Sequence, residues 1–314
     1  MPHHTCPKAL LQALTLLTAL SLLTSSAQAQ DPKEEQAKEA ATQTGEPGEV
    51  IAPPKEGWRS QFSLAYRTVP LGLALFNDTG YRKLLSDSDS LLLKNTYIEG
   101  GAYTITSPAY FRSGLYLESV PLSVLQLRTS IQAAKYYGTY GFLLTEEDGS
   151  APDWSLDNLD EIADKGNGVA GSVFYWETRA TPRIKAGRVV ALAEMRYLYL
   201  MHNTEKTTYE PFYDMLFEPR DHYITFKPTL GFLPIQNDDT YLLTAARYDY
   251  ARVFGNDLRT SQINALVIWG LPKSWVKTPA LTLTGLFGYW LKHPEGRANT
   301  TYFALQVGAT FGAR

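Results

Sequence analysis

The stretch TYFALQVGATF, Thr301 to Phe311, alternates between apolar and small or polar residues. Phe303, Leu305, Val307, Ala309 and Phe311 fall on one side of an extended chain; Tyr302, Ala304, Gln306, Gly308 and Thr310 fall on the other. Because successive strand side chains point to opposite faces, this segment reads as a strand with one greasy and one wettable side. Its length matches the roughly 9–11 residues that a tilted strand needs to cross a bilayer.

The same period recurs toward the N-terminus. Leu125, Leu127, Thr129, Ile131 and Ala133 oppose Gln126, Arg128, Ser130 and Gln132. Phe62, Leu64 and Tyr66 share a phase that flips after Val69-Pro70 to Leu71, Leu73 and Leu75. A strand cannot change faces without a reversal or an extra residue, so Pro70 marks a turn or a bulge, and the turn is the preferred reading. Between strands at Gln61–Thr68 and Thr300–Phe311, further strands are expected at Asn95–Thr106, Ala109–Ser119, Leu122–Tyr137, Val169–Ala180, Arg183–Leu200, Tyr223–Phe232, Tyr241–Val253, Thr260–Gly270 and Ala280–Leu291. The count is twelve if Pro70 is a hairpin and ten if the first four candidates merge into two. Short connections at Val120-Pro121, Thr181-Pro182, Leu233 to Asp239 and Leu271 to Pro279 would alternate with longer ones at 138–166, 201–220, 254–259 and 292–299. That sorting puts short turns on the periplasmic side and long loops outside.

After Gly57 no run approaches 18 consecutive apolar residues, which excludes helical spanning and leaves a soluble fold or a closed barrel. A content of 44% hydrophobic and 12% aromatic residues, with 20 tyrosines, suits a fold that spends apolar side chains on every second position. Aromatics gather toward the strand ends, at Trp58, Tyr66, Tyr197, Tyr199, Trp269, Trp275, Tyr289 and Trp290, where membrane interfaces favour amphipathic rings. The formal net charge of −3 offers no basic field, and no nucleic-acid partner is expected.

The N-terminus reads as a secretory signal: Lys8 precedes an apolar run from Ala9 to Leu23, and Ala27-Gln28-Ala29 supplies small residues for cleavage. The only cysteine, Cys6, lies inside that segment, so the mature chain carries neither disulfide nor thiolate chemistry. Residues 30–57 hold Pro32, Pro47, Pro53 and Pro54 among acids and lysines, too polar to offset their ordering entropy. We therefore divide the chain into a signal peptide (1–29), a flexible periplasmic extension (30–57) and a barrel (58–314).

On the signal segment, the dyad strands and the aromatic terminal strand, the chain resembles bacterial outer-membrane β-barrel proteins as a class. The resemblance covers nearly all of Trp58 to Arg314 and implies an all-β, antiparallel up-and-down transmembrane barrel in the outer membrane, in contact with its lipid. One departure is that Gly312-Ala313-Arg314 follow the terminal aromatic residue, which members of the class usually leave last.

With the apolar side turned to lipid, the opposite faces collect charge at two-residue spacing. The set is Arg112 and Glu118, Glu177 and Arg179, Glu194 and Arg196, Arg247 and Asp249, with Arg128 and Lys227. A charge at the lipid midplane costs about 2 to 4 kcal/mol, so these ten residues are expected to line the lumen. They can set the preference of a narrow channel for small solutes or ions, or pair across strands to fill the barrel.

Other chemistry has weaker support. The acids of 146–164 lack the spacing of a calcium loop, and the lone histidines make no metal site; no cofactor is expected. A lipase-like His-x-Ser pair is missing at His202, His222 and His293. A protease-like set would need Asp87 and Asp89 with Asp221 and His222, but neighbours on a strand face opposite ways. The sequence thus favours a narrow porin-like channel; a closed structural or adhesion barrel acting through loops 138–166 and 201–220 is the alternative, and an enzyme is third.

Overall fold

The computed structural model describes residues 56–68, 71–88, 90, 92–138, 144–145, 170–210, 212–237, 239–272, 274–276, 280–294 and 297–312. The signal segment, most of the polar extension and the acidic stretch at 146–164 lie outside these residues.

Fifteen strands follow in chain order: β1 (Gly57–Thr68), β2 (Leu71–Leu84), β3 (Tyr97–Thr106), β4 (Tyr110–Leu122), β5 (Leu125–Tyr137), β6 (Leu144–Thr145), β7 (Ala170–Ala186), β8 (Val189–His202), β9 (Thr208–Glu210), β10 (Met215–Phe217), β11 (Arg220–Gln236), β12 (Tyr241–Val253), β13 (Arg259–Gly270), β14 (Ala280–Lys292) and β15 (Thr301–Gly312). Twelve of them form one closed antiparallel barrel, and β10, β9 and β6 form a separate small sheet. The terminal strand decides closure. β15 pairs with β14 on one side and β1 on the other, Leu64 standing opposite Val307 and Phe62 opposite Ala309. No edge is left in the barrel, which is the condition for a sheet to cross lipid. Thr68 pairs with Leu71, so the phase flip at Val69-Pro70 is a hairpin and the count is twelve.

Two expected turns fall elsewhere. Pro121 lies inside β4, and the chain reverses at Ser123-Val124. Thr181 and Pro182 lie inside β7, which continues to Ala186 and turns at Gly187, whose φ of +58° suits glycine. Proline stops one ladder bond without stopping the strand: the β7–β8 register runs Ala180 to Met195, then resumes with Arg183 opposite Leu192. Pro228 does the same in mid-strand between β11 and β12, where the ladder passes from Phe226 opposite Tyr250 to Thr229 opposite Arg247.

β1 starts and β15 ends at one end of the barrel, the periplasmic end in proteins of this architecture. The connections there are 85–96, 123–124, 187–188, 237–240 and 271–279, and the outer end carries 69–70, 107–109, 138–169, 203–219, 254–258 and 293–300. The expected sorting of short from long thus holds for the two longest loops and not for 85–96, 271–279 or the two tight outer turns.

Outward positions are apolar and uncovered, with Leu64 48%, Leu115 61%, Leu230 61% and Phe287 55% exposed. An exterior of this kind suits hydrocarbon. Trp58 packs edge-on to Tyr81 and Trp269 to Trp275, both at 5.6 Å, near the periplasmic rim, and Tyr197 and Tyr199 stack on His222 toward the outer rim. Trp290 departs from the expected girdle: it faces inward and is 5% exposed. The lumen is also less uniformly polar than alternation suggests. Val190, Leu192, Leu233, Leu243, Leu266, Ile268 and Leu286 form an inward apolar cluster on β8 and β11–β14.

Candidate functional site

The inward faces of β3, β4, β5, β7 and β8 bring like charges into direct cross-strand register. Glu99 stands opposite Glu118, Glu118 opposite Arg128, Arg128 opposite Arg179, and Arg179 opposite Arg196. Like charges placed this way repel, so the row persists only because ions of the other sign stand beside it. Glu99 accepts from Arg59 Nη2 at 2.9 Å, Arg82 Nε at 3.0 Å and the Tyr116 hydroxyl at 2.5 Å. Glu118 accepts from the Tyr97 hydroxyl at 2.7 Å and pairs with Arg128 at 3.5 Å. Arg128 also reaches Asp78 at 2.8 Å and lies over the Tyr116 ring. Glu177 bridges Arg179 and Arg196, and Arg196 donates to Glu194 at 3.1 Å.

Of the ten charges singled out from spacing, Arg112, Glu118, Glu177, Arg179, Glu194, Arg196, Arg247 and Asp249 are buried, and Arg128 and Lys227 are partly so. Eight of them sit in pairs or bridges with a carboxylate or guanidinium: Arg247 holds Asp249 at 2.5 Å, and the others are those just described. Arg112 instead donates to Gln132 at 2.6 Å and to the Tyr213 hydroxyl at 3.0 Å, with its guanidinium 3.8 Å over the Tyr175 ring. Lys227 stands opposite Glu194 in register but makes no ion pair among the described residues.

Two small cavities flank the charged row. One, of about 20 Å³, lies among Ser63, Phe76, Asp78, Arg128 and Arg179; the other, of about 40 Å³, lies among Thr225, Lys227, Arg247, Asp249 and Trp290. A water needs roughly 10–15 Å³ of such space, so these have room for one or two and about three waters respectively. A much larger hollow of about 780 Å³ lies on the lipid side, over Ala191, Pro228, Ala246 and Ala265, and belongs to the apolar belt.

The outer mouth is filled by the chain itself. The connection between β8 and β11 turns inward, and its β9–β10 hairpin buries Tyr209, Phe212 and Phe217 completely and Tyr213, Met215 and Leu216 nearly so. Two carboxylates anchor it. Glu210 accepts from the hydroxyls of Tyr136 and Tyr175 on the barrel wall and from the Tyr213 backbone N–H at 2.9 Å. Asp214, at the turn with φ +58°, accepts from Arg297 Nη1 at 2.9 Å and from the Tyr209 hydroxyl, and lies 3.3 Å from His293 Nε2. Burial pushes the Glu210 carboxyl above its ordinary range. Burial likewise holds His293 below its ordinary value, against the pull of Asp214. Burial raises the Asp214 carboxyl, but the Arg297 guanidinium and the adjacent His293 ring outweigh it and hold the group well below the carboxylate range.

The expectation of an outward, partner-facing loop at 201–220 is corrected by this hairpin: its large side chains are spent inside the mouth. The sequence carried a signal for it. Six of the residues 209–217 are aromatic or large aliphatic, too many for a solvated loop. Arg59, Arg82 and Glu99 have no charged residue two positions away, so the spacing that picked out the other charges missed them, and only the inward parity of their strands marked them.

The protease-like residues do not meet. Asp87 follows β2 at the periplasmic end, whereas Asp221 and His222 begin β11 at the outer end. Asp221 accepts the backbone N–H groups of Glu218, His222 and Gly255, and His222 faces outward against Tyr197. No cluster of potential metal ligands occurs among the described residues.

No protein-family model matches the chain, and no curated protein matches it. Solved structures do resemble it in fold. The β-domain of the Bordetella autotransporter Brka is 12% identical, covering 82% of this chain and 100% of that one with a TM-score of 0.46. An outer-membrane channel from Pseudomonas putida F1 is 11% identical, covering 83% and 97% with a TM-score of 0.42. The translocator domain of the autotransporter NalP from Neisseria meningitidis is 10% identical, covering 82% and 89% with a TM-score of 0.39. The protein is an outer-membrane β-barrel. Its closed twelve strands and bare apolar belt have no other stable setting.

Proposed function

We propose that the protein is a narrow, gated route for small ions or solutes across the outer membrane. In this reading Arg112, Glu118, Arg128, Glu177, Arg179, Glu194, Arg196, Lys227, Arg247 and Asp249 set the preference of the path, and the β9–β10 hairpin closes its outer mouth. The observation that carries the reading is the hairpin itself, seated in the mouth through two buried carboxylates that meet tyrosines of the barrel wall and an arginine of the outer loop. A structural barrel needs no such plug. The test is planar-bilayer recording of the refolded mature chain. Replacing residues 208–217 with a Gly-Ser linker is expected to raise conductance well above wild type. Silence from both proteins would overturn the proposal.

The paired lumen favours a second reading, a closed barrel stiffened by its ion pairs, with the remaining outer loops as contact surfaces. It requires that the linker variant stay silent while folding normally. Substitution of Arg128 or Arg247 should then leave permeability unchanged.

A further inference from the structure

The β9–β10 hairpin shows what its seat in the mouth accepts. Residues 208–217, TYEPFYDMLF, carry two carboxylates and four aromatic rings and no lysine, arginine or histidine. The wall meets them in kind. Tyr136 and Tyr175 donate their hydroxyls to Glu210, and Arg297 Nη1 donates to Asp214 at 2.9 Å. The Tyr213 ring lies between Tyr175 at 6.1 Å and Tyr223 at 5.3 Å, and Phe212 stands edge-on to Tyr110.

At Arg112 the fit is incomplete. This residue is 1% exposed, and its guanidinium lies 3.8 Å over the Tyr175 ring and 4.9 Å from the Phe212 ring. Nε donates to Gln132 and Nη2 to the Tyr213 hydroxyl, but Nη1 has no hydrogen-bond partner. Glu177, the wall acid that faces Arg112, is taken by Arg179 and by Arg196 at 3.9 Å, and Glu210 is taken by the two tyrosines. A guanidinium offers paired N–H groups that match the two oxygens of a carboxylate, and the Tyr213 phenol uses only one of them. Withdrawal of the hairpin removes Glu210 and Asp214 from the mouth and leaves Arg112 and Arg297 behind, so the open seat favours an anion. On the reading that the hairpin leaves the mouth, we infer that the vacated seat binds an aromatic monocarboxylate. The ring takes the place of Tyr213 between Tyr175 and Tyr223, and the carboxylate, set where the Tyr213 hydroxyl lies, accepts from both Nη1 and Nη2 of Arg112. An aliphatic acid lacks the ring contacts, and a neutral aromatic molecule lacks the charge. The hairpin is then the solute's internal competitor.

The test is calorimetric titration of sodium benzoate into the detergent-solubilised mature chain, wild type and with residues 208–217 replaced by the Gly-Ser linker. Saturable binding is expected in the linker variant and weaker binding in wild type, whose seat is filled. Cyclohexanecarboxylate, without the ring–ring contacts, should bind the linker variant about two- to tenfold more weakly than benzoate. Benzamide, which brings no charge to Arg112, should bind about tenfold or more weakly. In the linker background Arg112→Gln should abolish benzoate binding, and Arg112→Lys, which keeps the charge without the planar pair of donors, should weaken it. Heat-modifiable migration in gels reports folding of each, and Arg112→Lys carries the test if Arg112→Gln fails to fold. Absence of saturable binding, equal binding by wild type and the linker variant, or binding unchanged by the Arg112 substitutions would overturn the site. Benzoate binding by a linker variant that stays silent in bilayers would refute the channel and leave the seat standing; conductance from that variant without benzoate binding would do the reverse.

Discussion

Asp214→Asn separates charge from shape at the point where the hairpin is tied down. Asp214 is 1% exposed and joins Arg297, the His293 ring and the Tyr209 hydroxyl, so its carboxylate is the negative partner of the buried Arg297 guanidinium. Its φ of +58° would make most substitutions strained, but asparagine tolerates the left-handed region as readily as aspartate. Only the charge is then removed. Breaking a buried pair from one side leaves an uncompensated ion and costs about 3–5 kcal/mol. At about 1.4 kcal/mol per tenfold change, the open-to-closed ratio of the hairpin should rise between roughly 10² and several times 10³. Limited chymotrypsin digestion reads this directly, because Tyr209, Phe212, Tyr213 and Phe217 are buried while the hairpin fills the mouth and become cleavable when it leaves. Asp257→Asn is the matched control. Asp257 has φ +54° and pairs with Arg252 and Arg259 at 2.7 and 2.8 Å, yet it is exposed, so solvent replaces the lost partner and no change is expected. Digestion rates for Asp214→Asn equal to wild type would refute the claim that the buried ion pair holds the hairpin in place.

Acidity gives an independent handle on the same element. A histidine held below its ordinary value is more protonated when the hairpin is open, so closure weakens as pH falls through the ordinary histidine value of about 6.5. Glu210, raised by burial, acts in the opposite sense, its contribution present at low pH and lost as pH rises from the ordinary glutamate range. Proteinase K digestion normalised to an unfolded substrate should therefore show His293→Gln better protected than wild type at pH 5.5, with the difference vanishing at pH 7.5; a constant difference would contradict the assignment. On the exterior, Leu230→Arg places a charge in the apolar belt and should cost about 2–4 kcal/mol in refolding titrations, while a cost near zero would move Leu230 out of the lipid midplane. In the wall, a Cβ on Gly288 would fall 2.0 Å from the Tyr302 ring, so Gly288→Ala should destabilise by about 1–3 kcal/mol, and Gly285→Ala, with open space around it, should not.

Residues 301–311 and their counterparts were enough to specify a lipid-facing barrel, because alternation is a local property of the backbone and bilayer thickness sets strand length. The phase change at Pro70 likewise settled twelve strands over ten once Thr68 was seen to face Leu71. Proline was the weaker guide. Pro121, Pro182 and Pro228 remain in strands, since a missing N–H disturbs one ladder bond and the neighbouring strand still holds the chain.

The inward or outward sense of each charge was readable from parity alone. Which charge meets which was not, because register between strands depends on the shear of the whole barrel. Only closure sets Arg128, Arg179 and Arg196 side by side and puts Glu177 between two of them. The hairpin at 208–217 shows the same limit more sharply. Its apolar side chains announced that it would be buried somewhere, but the place, beneath His293 and Arg297 and against Tyr136 and Tyr175, exists only after the barrel has brought segments far apart in sequence to one mouth.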